Sequence, residues 1–252
     1  MLDLTISIVN YHNEEDIRTM VATIEQYTPR EITKKIYLID NGDSTALTEI
    51  AKPYGDVTVI KSPGNIGFGR GHNQVLAQLD SRYHAIVNPD IVLTEDAFTP
   101  LLQYMDTHPL TGMTIPRILD DEGKLMSVYR KDPTVGDMIL RRLPGMKKRK
   151  AAHTLQDEDY TKPFEVPFAQ GSFLVVRTKL YREIGGFDER YFLYMEDADL
   201  CRTIRAKAKI EYVPYASVIH HWEQASGKSI RFLRIHLHSM RQYFQKWGWR
   251  LL

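Results

Sequence analysis

The sequence predicts an α/β fold built on a mostly parallel sheet, on three observations. Apolar runs rich in β-formers alternate with helical patterns of ten residues or more, the runs end on polar residues, and 252 residues are enough for one main domain with an appendage. With 43% hydrophobic and 26% charged residues the chain reads as an ordinary globular protein. Its net charge of +1 singles out no class of partner.

Leu4 to Val9 is the first strand. In NYHNEEDIRTMVATIEQY, Asn13 is placed to cap a helix, Glu14, Glu15 and Asp16 sit at its positive end, and Ile17, Met20, Val21 and Ile24 recur at helical spacing. KIYLIDN is a second strand, ending on Asp40 and Asn41. VTVIKS is a third and leads into SPGNIGFGRGHN. There Gly67, Gly69 and Gly71 either let the backbone approach a ligand closely, with Arg70 in reach of a phosphate, or merely connect strand to helix. His72 stands where a dinucleotide fingerprint needs glycine, and the lysine and hydroxyl of a P-loop are missing. HAIVNPDIVL is a fourth strand with Asn88 to Asp90 in its middle or at its end. That triplet reads as a turn, or as a carboxylate holding a hard divalent cation. Parallel sheets bind ligands at the carboxyl ends of their strands, so these polar ends are the expected site.

After about residue 110 the pattern changes. TGMTIPRIL, FEVPFAQGSFLVVRT and IEYVPYASVIHH are apolar runs, and a poorly periodic stretch reaches residue 163 or so. Within it Arg141–Lys150 carries six basic residues in ten, either a solvated loop or an attractor of anionic lipid or a diphosphate. YFLYMEDADLCRTI sets Glu196, Asp197 and Asp199 at the start of a predicted helix. Capping explains one or two of these carboxylates; neighbouring carboxylates also raise one another's pKa, which suits a general base. His220 and His221 end the last strand, where one imidazole completes a metal site or is a satisfied structural group. The final stretch aligns Ile230, Leu233, Leu237, Met240, Phe244 and Trp247 on one helical stripe beside Arg231, Arg234 and Arg241. This helix either docks on the domain's own core or rests on a membrane leaflet. The single cysteine, Cys201, excludes an intrachain disulfide and a Cys-based zinc site. Together with the lack of a signal segment or a long apolar run, it predicts a cytoplasmic chain that does not span a membrane.

In this order, NYHNEED, IDNG, NIGFGRGHN, NPD, FAQGSFLVVR, GGFDERYFLYMEDADLC and the terminal HH resemble the inverting glycosyltransferases of family 2, in particular the rhamnosyltransferase-like branch that builds bacterial surface polysaccharides. The resemblance covers residues 4 to 228. It implies a GT-A fold, with residues 1–228 as the glycosyltransferase domain, a nucleotide-binding half (1–110) and an acceptor half (111–228) around one continuous sheet, followed by a C-terminal amphipathic helix (229–252).

By the same resemblance Asn10, Tyr11 and Asp40 hold base and ribose, and Asn65, Gly67, Arg70 and Asn73 lie against the nucleotide sugar. Asp90 binds Mg2+ or Mn2+, with Asn88 standing where many members have aspartate. His220 is the further metal ligand, with His221 the alternative. Gly171 and Ser172 line the donor-sugar pocket, and Gly185 to Asp188 shape the acceptor's approach. Asp197 is the catalytic base, and Glu196 either orients it or contacts the acceptor. The implied donor is dTDP-rhamnose, with a UDP-hexose as the alternative. The implied acceptor is a hydroxyl of a glycan or lipid-linked saccharide, met at the inner face of the cell membrane, and no nucleic acid is involved. A nucleotidyltransferase would carry a basic, glycine-rich triphosphate loop where NEED stands. A non-catalytic nucleotide-sugar-binding subunit would not need Asp90, Asp197 and His220 together.

Overall fold

A computed structural model describes residues 1–136, 151–221 and 230–249. The basic run Arg141–Lys150 and the terminal leucines lie outside the described residues. The first half alternates as expected: β1 (Leu2–Asn10), α1 (Glu14–Tyr27), β2 (Lys34–Asp40), α2 (Ala46–Ala51), β3 (Val57–Lys61), α3 (Phe68–Asn73), β4 (Ser81–Val87), β5 (Ile91–Val92) and α4 (Phe98–Thr107). The second half holds β6 (Thr111–Leu119), β7 (Tyr129–Arg130), β8 (Phe164–Glu165), β9 (Phe168–Ala169), β10 (Phe173–Arg177), α5 (Thr178–Glu183), α6 (Glu196–Arg205), β11 (Lys209–His220) and α7 (Ile230–Trp247).

Among the described residues one nine-stranded sheet runs in the order β3, β2, β1, β4, β10, β6, β11, β5, with β8 also paired to β11. Strands β3, β2, β1 and β4 are mutually parallel. β10 enters antiparallel between β4 and β6 and joins the two halves. The central strands β1, β2, β4 and β10 are buried almost throughout, as expected for strands covered on both faces, while the edge strand β3 is only half-buried. Pro214 lies within β11, and the register against β6 shifts between Tyr212 and Ser217, because proline supplies no ladder N–H. No described helix is long and apolar enough to cross a membrane.

Two expectations are corrected, and the α7 stripe is partly covered. Asn13 makes no side-chain cap; its amide donates to Asp16 Oδ2 at 3.2 Å. The apolar run HAIVNPDIVL is two strands, because β4 pairs with β1 and β10 whereas β5 pairs with β11, leaving the polar triplet as the turn between them. In α7, Phe244 is buried, whereas Ile230, Leu233 and Leu237 are 73%, 45% and 53% exposed. The stripe is therefore covered only toward its C-terminal end.

A buried polar chain ties α3 to the sheet. His72 Nδ1 lies 2.6 Å from Ser7 Oγ, which lies 3.0 Å from His84 Nε2; His84 Nδ1 is 2.9 Å from Thr5 Oγ1, Thr5 Oγ1 is 2.8 Å from Ser81 Oγ, and Ser81 Oγ is 3.0 Å from Thr178 Oγ1. Burial pushes both imidazoles down, His84 to about 3, so neither carries charge into the core. This accounts for His72 at the fingerprint's glycine position: it is a core side chain that anchors the helix following the glycine-rich turn.

Candidate active site

The strand ends predicted to bind ligand open onto a cavity of about 680 Å3, within the range usual for small-molecule sites. The strand-end side contributes Tyr11, Asn41, Asn65, Gly67, Phe68, Asn88 and Asp90. The opposite wall comes from Arg130 on β7, Gln170 and Gly171 after β9, the segment Phe192–Asp197, and Phe232, Ile235 and His236 on α7.

The glycine-rich turn is shaped by close approach. Gly67 has φ +95°, and a Cβ there would fall 2.3 Å from the Phe192 carbonyl oxygen, which accepts from Phe68 N at 3.1 Å. Asn65 Oδ1 accepts from Gly67 N at 3.1 Å, and Asn41 Nδ2 donates to Gly67 O at 3.0 Å. The turn is thus fixed from three sides and places Phe68 in the cavity wall.

Several predicted residues support the site from behind. Asn10 is fully buried; its amide donates to Asp40 Oδ1 (3.3 Å) and Glu14 Oε1 (3.2 Å). Asp40 accepts from Gly42 N (3.0 Å) and Ser44 N (2.8 Å) and is 3% exposed, so its carboxylate organises the loop that carries Asn41 and is absent from the cavity wall. Asn73 and Arg70 are also absent from that wall. The Asn73 side chain bonds Phe187 O (2.8 Å) and Phe187 N (2.9 Å), and Arg70 Nε donates to Glu189 O. Both clamp the turn after Gly185 and Gly186 rather than facing the cavity. Ser172 is buried, with its carbonyl accepting from Asn88 N at 2.8 Å.

Between β4 and β11 lies a group of buried polar atoms that lack partners: Asn88 Oδ1, Asp90 Oδ1, both ring nitrogens of His220 and Ser172 Oγ. His220 Nε2 lies 3.2 Å from Asp90 Oδ1. Leaving such atoms unsatisfied is unfavourable by about 1–3 kcal/mol each, and an oxygen and an imidazole nitrogen facing one another suit a divalent cation. Among the described residues no three His, Cys, Asp or Glu side chains gather around one point. A carboxylate and an imidazole in this place fit a divalent cation that takes its remaining ligands from elsewhere. His221 is exposed, with its Nδ1 against the Asp121 carboxylate.

The carboxylate pair opens α6 directly after Tyr194 and Met195, both left-handed at φ +69°. Asp197 is half-buried on the cavity wall, and its carboxylate accepts from Ala198 N at 2.8 Å and Gly171 N at 3.3 Å. Glu196 is 5% exposed with Oε2 unpartnered. Burial first, and then the charge of Asp197, push the Glu196 carboxyl upward; burial also raises Asp197, against the opposing pull of the Ala198 and Gly171 N–H groups and Arg130. Two such groups favour a single shared charge. The N–H donors and Arg130 keep that charge on Asp197, the member open to the cavity. Asp199 lies outside the cavity wall, 2% exposed.

Of the sequence-predicted residues, Tyr11, Asn65, Gly67, Asn88, Asp90, Gly171, Glu196 and Asp197 line one cavity, and Asn10, Asp40, Arg70, Asn73, Ser172 and His220 are absent from its wall. Asn41, Phe68, Arg130, Gln170 and Tyr194 were not among them. For Asn41 and Phe68 the signal lay in their places, directly after Asp40 and inside the glycine run; Arg130 and Gln170 are brought in only by the pairing of β7 with β9.

Comparison with known proteins identifies the family and the fold. The profile of the family described as Glycosyl transferase family 2 matches residues 5–185. Rhamnosyltransferase WbbL of Escherichia coli (strain K12) is 30% identical over 253 residues, covering 96% of this chain and 92% of that protein. The N-acetylglucosaminyl-diphospho-decaprenol L-rhamnosyltransferase of Mycobacterium tuberculosis is 28% identical, covering 89% and 78%. Among solved structures, GalNAc-T7 with UDP, GalNAc and Mn2+ superposes with a TM-score of 0.72 at 17% identity; the match spans 97% of this chain and about half (48%) of that one. The mannosyltransferase PcManGT from Pyrobaculum calidifontis in complex with GDP-Man and Mn2+ gives 0.63 at 13% identity, over 97% and 66%. These structures share the GT-A fold seen here.

Proposed function

The chain belongs to glycosyltransferase family 2, and from that premise we propose that it transfers rhamnose from dTDP-rhamnose to a hydroxyl of a lipid-linked saccharide in cell-surface polysaccharide synthesis. The observation that carries the reading is Asp197, a half-buried carboxylate held by two backbone N–H groups on the cavity wall opposite the strand ends. The names of the rhamnosyltransferase relatives support the sugar, and the second of them supports a diphosphate-linked lipid acceptor.

Asp197 takes the proton of the acceptor hydroxyl as its oxygen bonds to the donor's anomeric carbon. The bond from that carbon to the nucleoside diphosphate breaks on the opposite side, so the configuration inverts. Glu196, holding the shared proton, keeps a second charge away from Asp197. Gly171 N–H fixes the Asp197 carboxylate, and a Cβ at Gly171 would sit 3.3 Å from Asp197 Cβ. Tyr11 is 47% exposed at the rim, where its ring can cover the base, with Asn41, Asn65 and Gly67 beside the sugar diphosphate. Asp90 and His220, with Asn88 adjacent, would hold Mg2+ or Mn2+, which supplies charge neutralisation for the leaving diphosphate. We place the reaction in the cytoplasm, at a membrane surface that carries the acceptor.

The test is transfer from dTDP-rhamnose, alongside UDP-hexoses, to a short-chain prenyl-diphosphate N-acetylglucosamine. Rhamnose transfer by the wild type is expected, with a loss of at least about a hundredfold in Asp197→Asn and unchanged binding of dTDP. Turnover near wild type in that variant would remove Asp197 as base, and transfer only from a UDP-hexose would change the donor.

A further inference from the structure

Of the three carboxylates that open α6, Asp199 is the one that serves α7. Its Oδ2 accepts from Lys246 Nζ at 2.8 Å, and its Oδ1 accepts from Trp247 Nε1 at 2.6 Å and Tyr191 Oη at 3.3 Å. Lys246 also reaches Asp188 Oδ2 at 3.0 Å, so one ammonium joins α6 to the turn after Gly185 and Gly186. Arg202, on α6, lies 4.7 Å from the Trp247 ring centre and 6.0 Å from that of Tyr243. Charge-assisted bonds to a buried carboxylate are among the stronger polar contacts available to a protein.

The same face of α7 continues toward the cavity. Ser239 Oγ donates to Leu193 O at 2.8 Å, directly before the two left-handed residues Tyr194 and Met195. Tyr194 meets the His236 ring edge-on at 5.1 Å. Phe232, Ile235 and His236, at helical spacing from Ser239 and Tyr243, then stand in the cavity wall facing the strand ends. Strand-end asparagines and the Asp90 group occupy one side of the cavity, and rings and apolar side chains of α7 occupy the other.

We propose that α7 is the acceptor-binding wall of the active site. Phe232, Ile235 and His236 receive the acceptor's saccharide ring, and Asp199 with Lys246 and Trp247 is the latch that sets where this wall stands. A pyranose ring has apolar C–H faces and a polar rim, which match aromatic and aliphatic side chains flanking an imidazole. Asp199, Lys246 and Trp247 are positioning residues: they touch no substrate and act through the helix. The inference rests on Asp197 as base, because the wall holds the acceptor hydroxyl toward that carboxylate.

The test uses the full chain and titrates the short-chain prenyl-diphosphate N-acetylglucosamine by calorimetry, so that it does not depend on turnover. Phe232→Ala, a wall change, and the pair Lys246→Met with Trp247→Phe, a latch change, are each expected to weaken acceptor binding at least about tenfold while dTDP binding stays within about twofold. Lys246→Arg, which keeps a long cation for Asp199, is expected to restore acceptor affinity. Unchanged acceptor affinity in both Phe232→Ala and the latch pair would overturn the proposal. So would loss of dTDP binding in step with a lowered melting temperature, which marks a merely structural helix, or no binding of the probe by the wild type. Failure of the base assignment would show separately, as retained turnover in Asp197→Asn with acceptor binding intact.

Discussion

Glu196 occupies a position that stability alone would not select. It is 5% exposed, one of its carboxyl oxygens has no partner, and its carboxyl is pushed up by burial and by Asp197. The unfolded chain releases this proton near the ordinary glutamate value of about 4.3, whereas the folded chain keeps it to higher pH. The unfolded state therefore binds fewer protons over that interval, and the contribution of Glu196 to stability falls as pH rises. Glu196→Gln removes this loss and is expected to raise the melting temperature relative to wild type more at about pH 8 than at about pH 5. An equal difference at the two pH values would show that Glu196 ionises normally. Asp197 is raised in the same direction, so transfer is expected to increase with pH through a range above that of an ordinary aspartate.

The glycine-rich turn into α3 is an element whose geometry is set by what it touches. Gly64 and Gly67 both have positive φ, +128° and +95°, but a Cβ at Gly64 meets nothing within 4 Å whereas one at Gly67 meets the Phe192 carbonyl at 2.3 Å. Alanine at either position bears backbone strain of about 1–3 kcal/mol; only Gly67→Ala also forces the turn away from the segment leading to α6. Both variants are expected to melt lower, but only Gly67→Ala should lose stabilisation by dTDP, and retention of it there would separate the turn from the donor site. The sequence displayed this turn only in part: of the three glycines in five residues Gly67 alone has a positive φ, whereas Gly69 and Gly71 lie inside α3, packed against Phe187 and Val9. α1 was legible for a different reason: Ile17, Met20, Val21 and Ile24 all face the core. The two-residue strands β5, β7, β8 and β9 were not, since elements this short have no period and exist only through their partners. The roles of Asn73 and Asp199 were hidden likewise: each binds a segment at least 47 residues away, Phe187 for the first and the end of α7 for the second. A polar residue in a glycosyltransferase motif looks the same in one dimension whether it touches ligand or holds up the wall.

At the scale of the molecule, α7 has two faces with different work. The face toward α6 buries Ser239, Tyr243 and Phe244, while Ile230, Leu233 and Leu237 project outward at 73%, 45% and 53% exposure with Arg234 and Arg241 also exposed. Three apolar side chains at positions i, i+3 and i+7 flanked by arginines are the pattern of a helix that rests in a membrane interface, gaining from apolar burial and from anionic headgroups together. Their place matters, because this face backs onto the helix whose inner side lines the cavity; a lipid-linked acceptor lying in that interface would have its saccharide near the proposed base. Peripheral contact through this face is therefore expected to depend on both terms. The full chain should float with vesicles containing anionic lipid and less so as salt is raised. Replacing Ile230, Leu233 and Leu237 together by Gln should abolish flotation without lowering the melting temperature, since none of the three is buried. Turnover on a water-soluble acceptor should survive in that variant while turnover on a vesicle-embedded acceptor falls. Equal flotation of wild type and variant would place the membrane contact, and with it the route by which acceptor reaches Asp197, on another surface.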